Sequence, residues 1–90
     1  MSIKKIMCCC GNGLGSSLLA RINVQAAVSE LGHPEIEVVN SAISDASNDS
    51  ADLFFVAKDL EASAARLENR VVLDNVMDKA AIKAAVEARL

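Results

Sequence analysis

This chain of 90 residues has no tryptophan, no tyrosine, two phenylalanines, one proline and one histidine. The missing aromatics remove the stacking platforms on which single-stranded nucleic acid is held. A formal net charge of −3 supplies no basic footprint for a duplex backbone either, so nucleic acid is not an expected partner. Long hydrophobic runs are also missing. No stretch nears the roughly 18 apolar residues of a membrane-spanning helix. The apolar run after Lys4 and Lys5 ends in glycine too soon for an export signal, and a cytoplasmic location is expected. Small and aliphatic side chains are plentiful. A hydrophobic fraction of 52% suffices for one core, so residues 1–90 are read as one domain that needs no disulfide or metal scaffold.

The apolar residues are arranged in alternating short runs and longer periodic stretches. Residues 3–9 and 36–39, the continuous run Leu53-Phe54-Phe55-Val56-Ala57, and Arg70-Val71-Val72-Leu73 read as strands, with the 53–57 run as a central one buried on both faces. Residues 15–31 carry Leu18, Leu19, Ile22, Ala26 and Leu31 near helical spacing and are stopped by Gly32 and Pro34. A shorter helix is expected over roughly residues 60–67, capped by Asp59, with Leu60, Ala64 and Leu67 inward. The last helix begins at the cap Asp78, with Met77 stapled to Ile82 and with Ile82, Ala85, Val86 and Leu90 as its inner stripe. Residues 40–50 read as a loop with room for one helical turn. Strands alternating with helices specify parallel pairing through right-handed crossovers. An open α/β sandwich with about four parallel strands follows.

The chemistry is concentrated in residues 8–17, CCCGNGLGSS, which hold all three cysteines and three of the four glycines. In an open parallel sheet the turn leaving the first strand floors the ligand crevice. Gly11, Gly13 and Gly15 let that backbone bring its N–H groups close to an anion, and the helix behind it adds unpaired N–H groups and a positive dipole end. Ser16 and Ser17 offer hydroxyl donors there, or act as helix caps. Thiols at helix N-termini ionise readily, so Cys10, at the junction of strand and turn, is read as the nucleophile. Cys8 and Cys9 are read as packing residues inside the strand. Direct adjacency of the three cysteines lacks the C-x-x-C spacing of zinc and dithiol sites, so no metal is assigned and no cofactor. Neither the dinucleotide fingerprint nor the P-loop lysine is present.

The run Cys10-Gly11-Asn12-Gly13-Leu14-Gly15-Ser16-Ser17, after an apolar strand and before a helix starting Leu18-Leu19, resembles the phosphocysteine loop of the enzyme IIB components of bacterial sugar phosphotransferase systems (PTS), the ascorbate-type branch in particular. Motif agreement spans about residues 6–22, and the order of elements agrees over nearly the whole chain. The resemblance implies an open three-layer sandwich of the phosphatase/flavodoxin-like kind. It also implies a relay in which a IIA phosphohistidine passes its phosphoryl group to Cys10, and Cys10 passes it to a sugar bound by the membrane permease IIC. Gly11, Asn12, Gly13, Leu14, Gly15, Ser16 and Ser17 would bind the phosphoryl group, Leu14 would give the partners an apolar contact, and the cytoplasmic protein would be transiently at the inner face of the membrane with IIC. An ascorbate-like sugar is implied.

The competing enzyme reading is a low-molecular-weight tyrosine phosphatase, whose cysteine-led loop carries an arginine where this chain has Ser16 and a hydroxyl where it has Ser17. Without that guanidinium a phosphomonoester dianion is hard to bind, and Asp74 and Asp78, eligible as acids by position, read better as turn and cap residues. A non-catalytic anion-binding module and a redox role for the clustered thiols complete the alternatives. Outside the loop, His33 is expected in an exposed turn, Lys58 at the surface, and Arg21 leaning to solvent.

Overall fold

The computed structural model of the protein describes residues 3–10, 15–75 and 77–90. Along the chain come β1 (Lys5–Cys10), α1 (Gly15–Glu30), β2 (Glu37–Ala42), a 3-10 turn (Ile43–Asp45), β3 (Leu53–Ala57), a second 3-10 turn (Lys58–Leu60), β4 (Arg70–Leu73) and α2 (Lys79–Glu87). The four strands form one parallel sheet in the order β2-β1-β3-β4. β1 is flanked on both edges, with Cys10 opposite Ala42 on one side and Cys9 opposite Val56 on the other. The open α/β sandwich with parallel pairing is therefore present.

Strand alternation divides the core in two. Ile6, Cys8, Leu53 and Phe55 face a helical layer, where Val24, Ala27 and Val28 of α1 meet Ile82 and Val86 of α2. Met7, Cys9, Phe54 and Val56 face the opposite way and are covered by Ala46, Ala64 and Leu67. Both α-helices thus lie on one face, and turns close the other.

That second layer corrects the expected helix over 60–67. The segment is a 3-10 turn followed by further turns, with Ala64 N–H bonded to Leu60 O at 3.0 Å and Leu67 N–H to Ala64 O at 2.9 Å. Positions three apart share a face in either geometry, so Ala64 and Leu67 reach the core without a regular helix. Asp59 does not cap it: the residue before the turn is Ala57, and no side chain bonds to its start. The Arg66 guanidinium instead ties this layer together, donating to the carbonyls of Ala46 and Ile43 across the gap between the two connections. Asn48 does the same from the other side, accepting from Glu68 N–H at 2.8 Å and donating to Arg66 O at 3.1 Å.

α1 has the expected length but a different inward face. Ala20, Asn23, Val24, Ala27 and Val28 are buried, whereas Leu18, Leu19 and Ile22 are 42%, 45% and 52% exposed, and Ala26 is exposed. The helix sits between the sheet and α2, where small and β-branched side chains permit a close approach, and the bulkier leucines are turned outward. Its end is a Schellman closure: Gly32 takes φ 83°, His33 N–H reaches Val28 O at 2.8 Å and Gly32 N–H reaches Ser29 O at 3.1 Å. β2 runs three residues past its apolar start, through Asn40, Ser41 and Ala42. As an edge strand it has one side open to water and tolerates polar residues. Asp78 caps α2 as expected, accepting from Ala81 N–H at 3.1 Å. Met77 is half exposed, with its sulfur 3.8 Å from Asn23 Nδ2 on α1. Leu90 lies beyond the end of α2 and is 44% exposed, outside the inner stripe.

One substitution made on both helices tests this burial map. Ile82→Ala removes a side chain that is 0% exposed and should cost about 2–5 kcal/mol. Ile22→Ala removes one that is 52% exposed and should stay within about 0.5 kcal/mol of the parent. Urea unfolding followed by circular dichroism measures both.

Candidate functional site

With the order β2-β1-β3-β4, the chain leaves β1 toward β2 on one side while β3 lies on the other. A parallel sheet opens its ligand crevice at such a switch point, beyond the carboxyl ends of the strands. Cys10 is the last residue of β1 and stands at that point. Its side of the strand is that of Ile6 and Cys8, the side covered by α1. α1 then starts at Gly15, with Ser16 and Ser17 in its first turn and no acidic residue there, so its positive end is left unopposed by its own side chains. The expected phosphoryl-binding residues Gly11, Asn12, Gly13 and Leu14 lie outside the described residues, as do the expected hydroxyl donors of Ser16 and Ser17.

The three thiols form no disulfide. All are buried, Cys8 at 0% exposure and Cys9 and Cys10 at 4% each. Burial pushes the Cys8 thiol up to about 12, with the neighbouring Cys9 adding to the shift and Arg21 opposing it. Burial likewise pushes Cys9 up to about 11, with Cys10 adding and Arg66 opposing. Cys8 and Cys9 are therefore neutral packing residues at neutral pH, as their positions within the strand imply. The segment after β2 packs on the Cys9 face through Ile43 and Ala46, opposite the helical side to which Cys10 belongs.

The polar side chains outside the loop fall in separate places. His33 is in a turn at the far end of the sheet, 43% exposed and 3.0 Å from the Glu35 carboxylate. Lys58 and Asp74 are exposed and meet at 3.8 Å. Arg21 departs from its expected solvent position: it is half-buried, and its Nε is enclosed with no hydrogen-bond partner. Arg66, Asn48 and Asn23 were not foreseen. Asn23 carries the helical spacing of a buried position, since Ala20 and Ala27 lie three and four residues away and are buried with it.

The family comparison bears on the whole of this arrangement. A family model described as "PTS system, Lactose/Cellobiose specific IIB subunit" matches residues 5–88, from the start of β1 to the end of α2. The chain belongs to that family. No curated protein matches it. The IIB subunit is thus a component of a sugar phosphotransferase system, and its match carries the lactose/cellobiose description without singling out the ascorbate-type branch. Among the described residues no helix of this IIB subunit is long and apolar enough to cross a membrane.

The buried thiols give the IIB subunit a distinct pH response. Cys8 ionises near 9.0 when exposed and only near 12 when folded, so the unfolded chain loses this proton first as pH rises. The stability linked to it is intact below about pH 9 and drains away between about pH 9 and pH 12. Going from about pH 8 to about pH 10.5, Cys8→Ala should lose less of its unfolding free energy than the parent does, by urea titration at the two pH values.

Proposed function

We propose that this IIB subunit carries a phosphoryl group on Cys10 Sγ, taking it from a IIA phosphohistidine and delivering it to a sugar held by a membrane IIC permease. The observation that carries the reading is the position of Cys10 as the last residue of β1, at the switch point of the sheet and before the start of α1, in a chain matched to the IIB family over residues 5–88. In the first transfer the Cys10 thiolate attacks phosphorus in line, an S–P bond forms and the N–P bond breaks. The electron pair returns to the imidazole, which takes up a proton to replace the one the thiol gave up. In the second transfer a sugar hydroxyl attacks the same phosphorus, its proton goes to a base on the permease, and sulfur leaves as thiolate.

Such a relay needs alignment and charge neutralisation rather than a covalent scaffold. The backbone N–H groups of residues 11–17 supply donors for the phosphoryl oxygens, and the α1 dipole favours the added negative charge. The CGNG and GSS pattern supports an ascorbate-like, acidic or polyol sugar as the final acceptor. Both partners must reach the same edge of the sheet. Leu18, Leu19 and Ile22, each more than 40% exposed on the first two turns of α1, offer the apolar centre that a small transient interface requires. The IIB subunit then works at the inner face of the membrane.

Incubation with phosphorylated IIA should add one acid-labile phosphoryl group per chain, seen by mass spectrometry. Cys10→Ser should acquire none, and an equivalent acid-labile group on that variant would refute the assignment. Ile22→Glu should raise the IIA concentration needed for half-maximal transfer about tenfold or more while leaving the thermal melt unchanged. An unaltered concentration dependence would move the interface elsewhere.

A further inference from the structure

The sequence of the loop lacks the guanidinium that cysteine-based phosphoryl sites commonly place within the loop, since Ser16 stands at that position. A phosphoryl group on sulfur carries close to two negative charges, and backbone donors alone bring no net positive charge to it. Arg21 is the basic residue of α1. It lies in the second turn of the helix, on the flank away from the Asn23 side chain that meets Met77. A helical side chain covers the turn on the N-terminal side of its own Cα, which takes the arm of Arg21 back toward the crevice edge.

Three observations mark this arginine. Its Nε is enclosed and makes no hydrogen bond, although a buried donor without a partner is costly and rare. It takes part in none of the ion pairs among the described residues, which join His33 to Glu35 and Lys58 to Asp74. Its charge is also felt at the Cys8 thiol, whose side chain occupies the same face of β1 as Cys10, one strand repeat further from the crevice. A surface arginine would wet its Nε, and a structural one would spend it on a carbonyl, as Arg66 spends its guanidinium on Ala46 and Ile43. Arg21 does neither.

Resting on the carrier reading above, we infer that Arg21 is the phosphate-binding cation of this IIB subunit, its enclosed Nε–H and guanidinium donating to the phosphoryl oxygens once Cys10 is phosphorylated. The empty donor is then a preorganised feature, left unpaired in the unphosphorylated chain and satisfied by the group that arrives. It stabilises phosphocysteine relative to phosphohistidine and so sets how far the first transfer runs toward IIB. The guanidinium comes from the helix rather than from the loop, and it holds the phosphoryl group for onward transfer.

The test measures the phosphoryl equilibrium between IIA and IIB for the parent, Arg21→Gln and Arg21→Lys, together with the phosphorus NMR titration of each phosphorylated protein. Arg21→Gln should shift the equilibrium toward IIA by about tenfold or more, and the second ionisation of its phosphoryl group should move to higher pH. Arg21→Lys, keeping the charge but not the planar fork, should recover part of both. A role in folding alone would leave the ionisation unmoved in every variant that melts like the parent, and that result overturns the inference. Were Arg21→Gln to unfold, the parent and Arg21→Lys would still decide it, since identical equilibria and ionisation in that pair overturn it too. Failure of the parent itself to become phosphorylated on Cys10 would overturn the carrier reading, a different result from an unchanged equilibrium in a phosphorylated variant.

Discussion

The constraint on which the rest of the structure depends is the complete enclosure of β1. It is hydrogen-bonded along both edges, to β2 and to β3, and from Ile6 to Cys10 every residue is buried. A strand held on four sides has no freedom of register, because a slip by one residue would exchange its two faces and set Ile6 and Cys8 where Met7 and Cys9 belong. The last residue of such a strand is therefore positioned by the whole sheet. Cys10 inherits its place from that enclosure.

The two faces of the sheet are closed by different means. On one, α1 and α2 pack through small and branched side chains, and the fit is close enough that leucines stay outside. On the other, turns cover Met7, Cys9, Phe54 and Val56, held by polar links from Arg66 and Asn48 rather than by a regular backbone ladder. At the opposite end of the sheet the Asp52 carboxylate accepts from the backbone N–H groups of Lys4 and Lys5 at 2.8 and 3.0 Å, which anchors the entry to β1. Side chains thus fasten the connections at both ends of a sheet whose own strands are short.

This division gives the crevice its character. The helical face brings the start of α1 and a half-buried arginine to the side of the sheet that holds Cys8, while the turn face brings a tied connection under Cys9. Burial pushes the ionisation of the adjacent thiols Cys8 and Cys9 far upward and leaves both neutral at neutral pH. Leu18, Leu19 and Ile22 stay outside the core, on the first two turns of α1.

Much of this was legible in the residues themselves. The runs at 53–57 and 70–73 became strands with the bounds they suggested, Asp78 capped α2, and Gly32 closed α1, because strand burial, side-chain capping and positive φ are local demands that a few neighbouring residues satisfy. The inward face of α1 was not legible: Leu18, Leu19 and Ile22 are as apolar as any core residue, and only the narrow space between sheet and second helix selected Ala20, Val24, Ala27 and Val28 instead. The segment over 60–67 likewise carried a helical pattern that tertiary packing met with turns, since anchoring Ala64 and Leu67 was all the sheet required. By itself the sequence determined the order of the four strands, the first and last helices, and the cysteine at the end of the first strand. Tertiary structure alone decided which helix face is hidden, how the second layer is tied, and that the Arg21 Nε is enclosed, because each depends on distances between segments far apart in the chain.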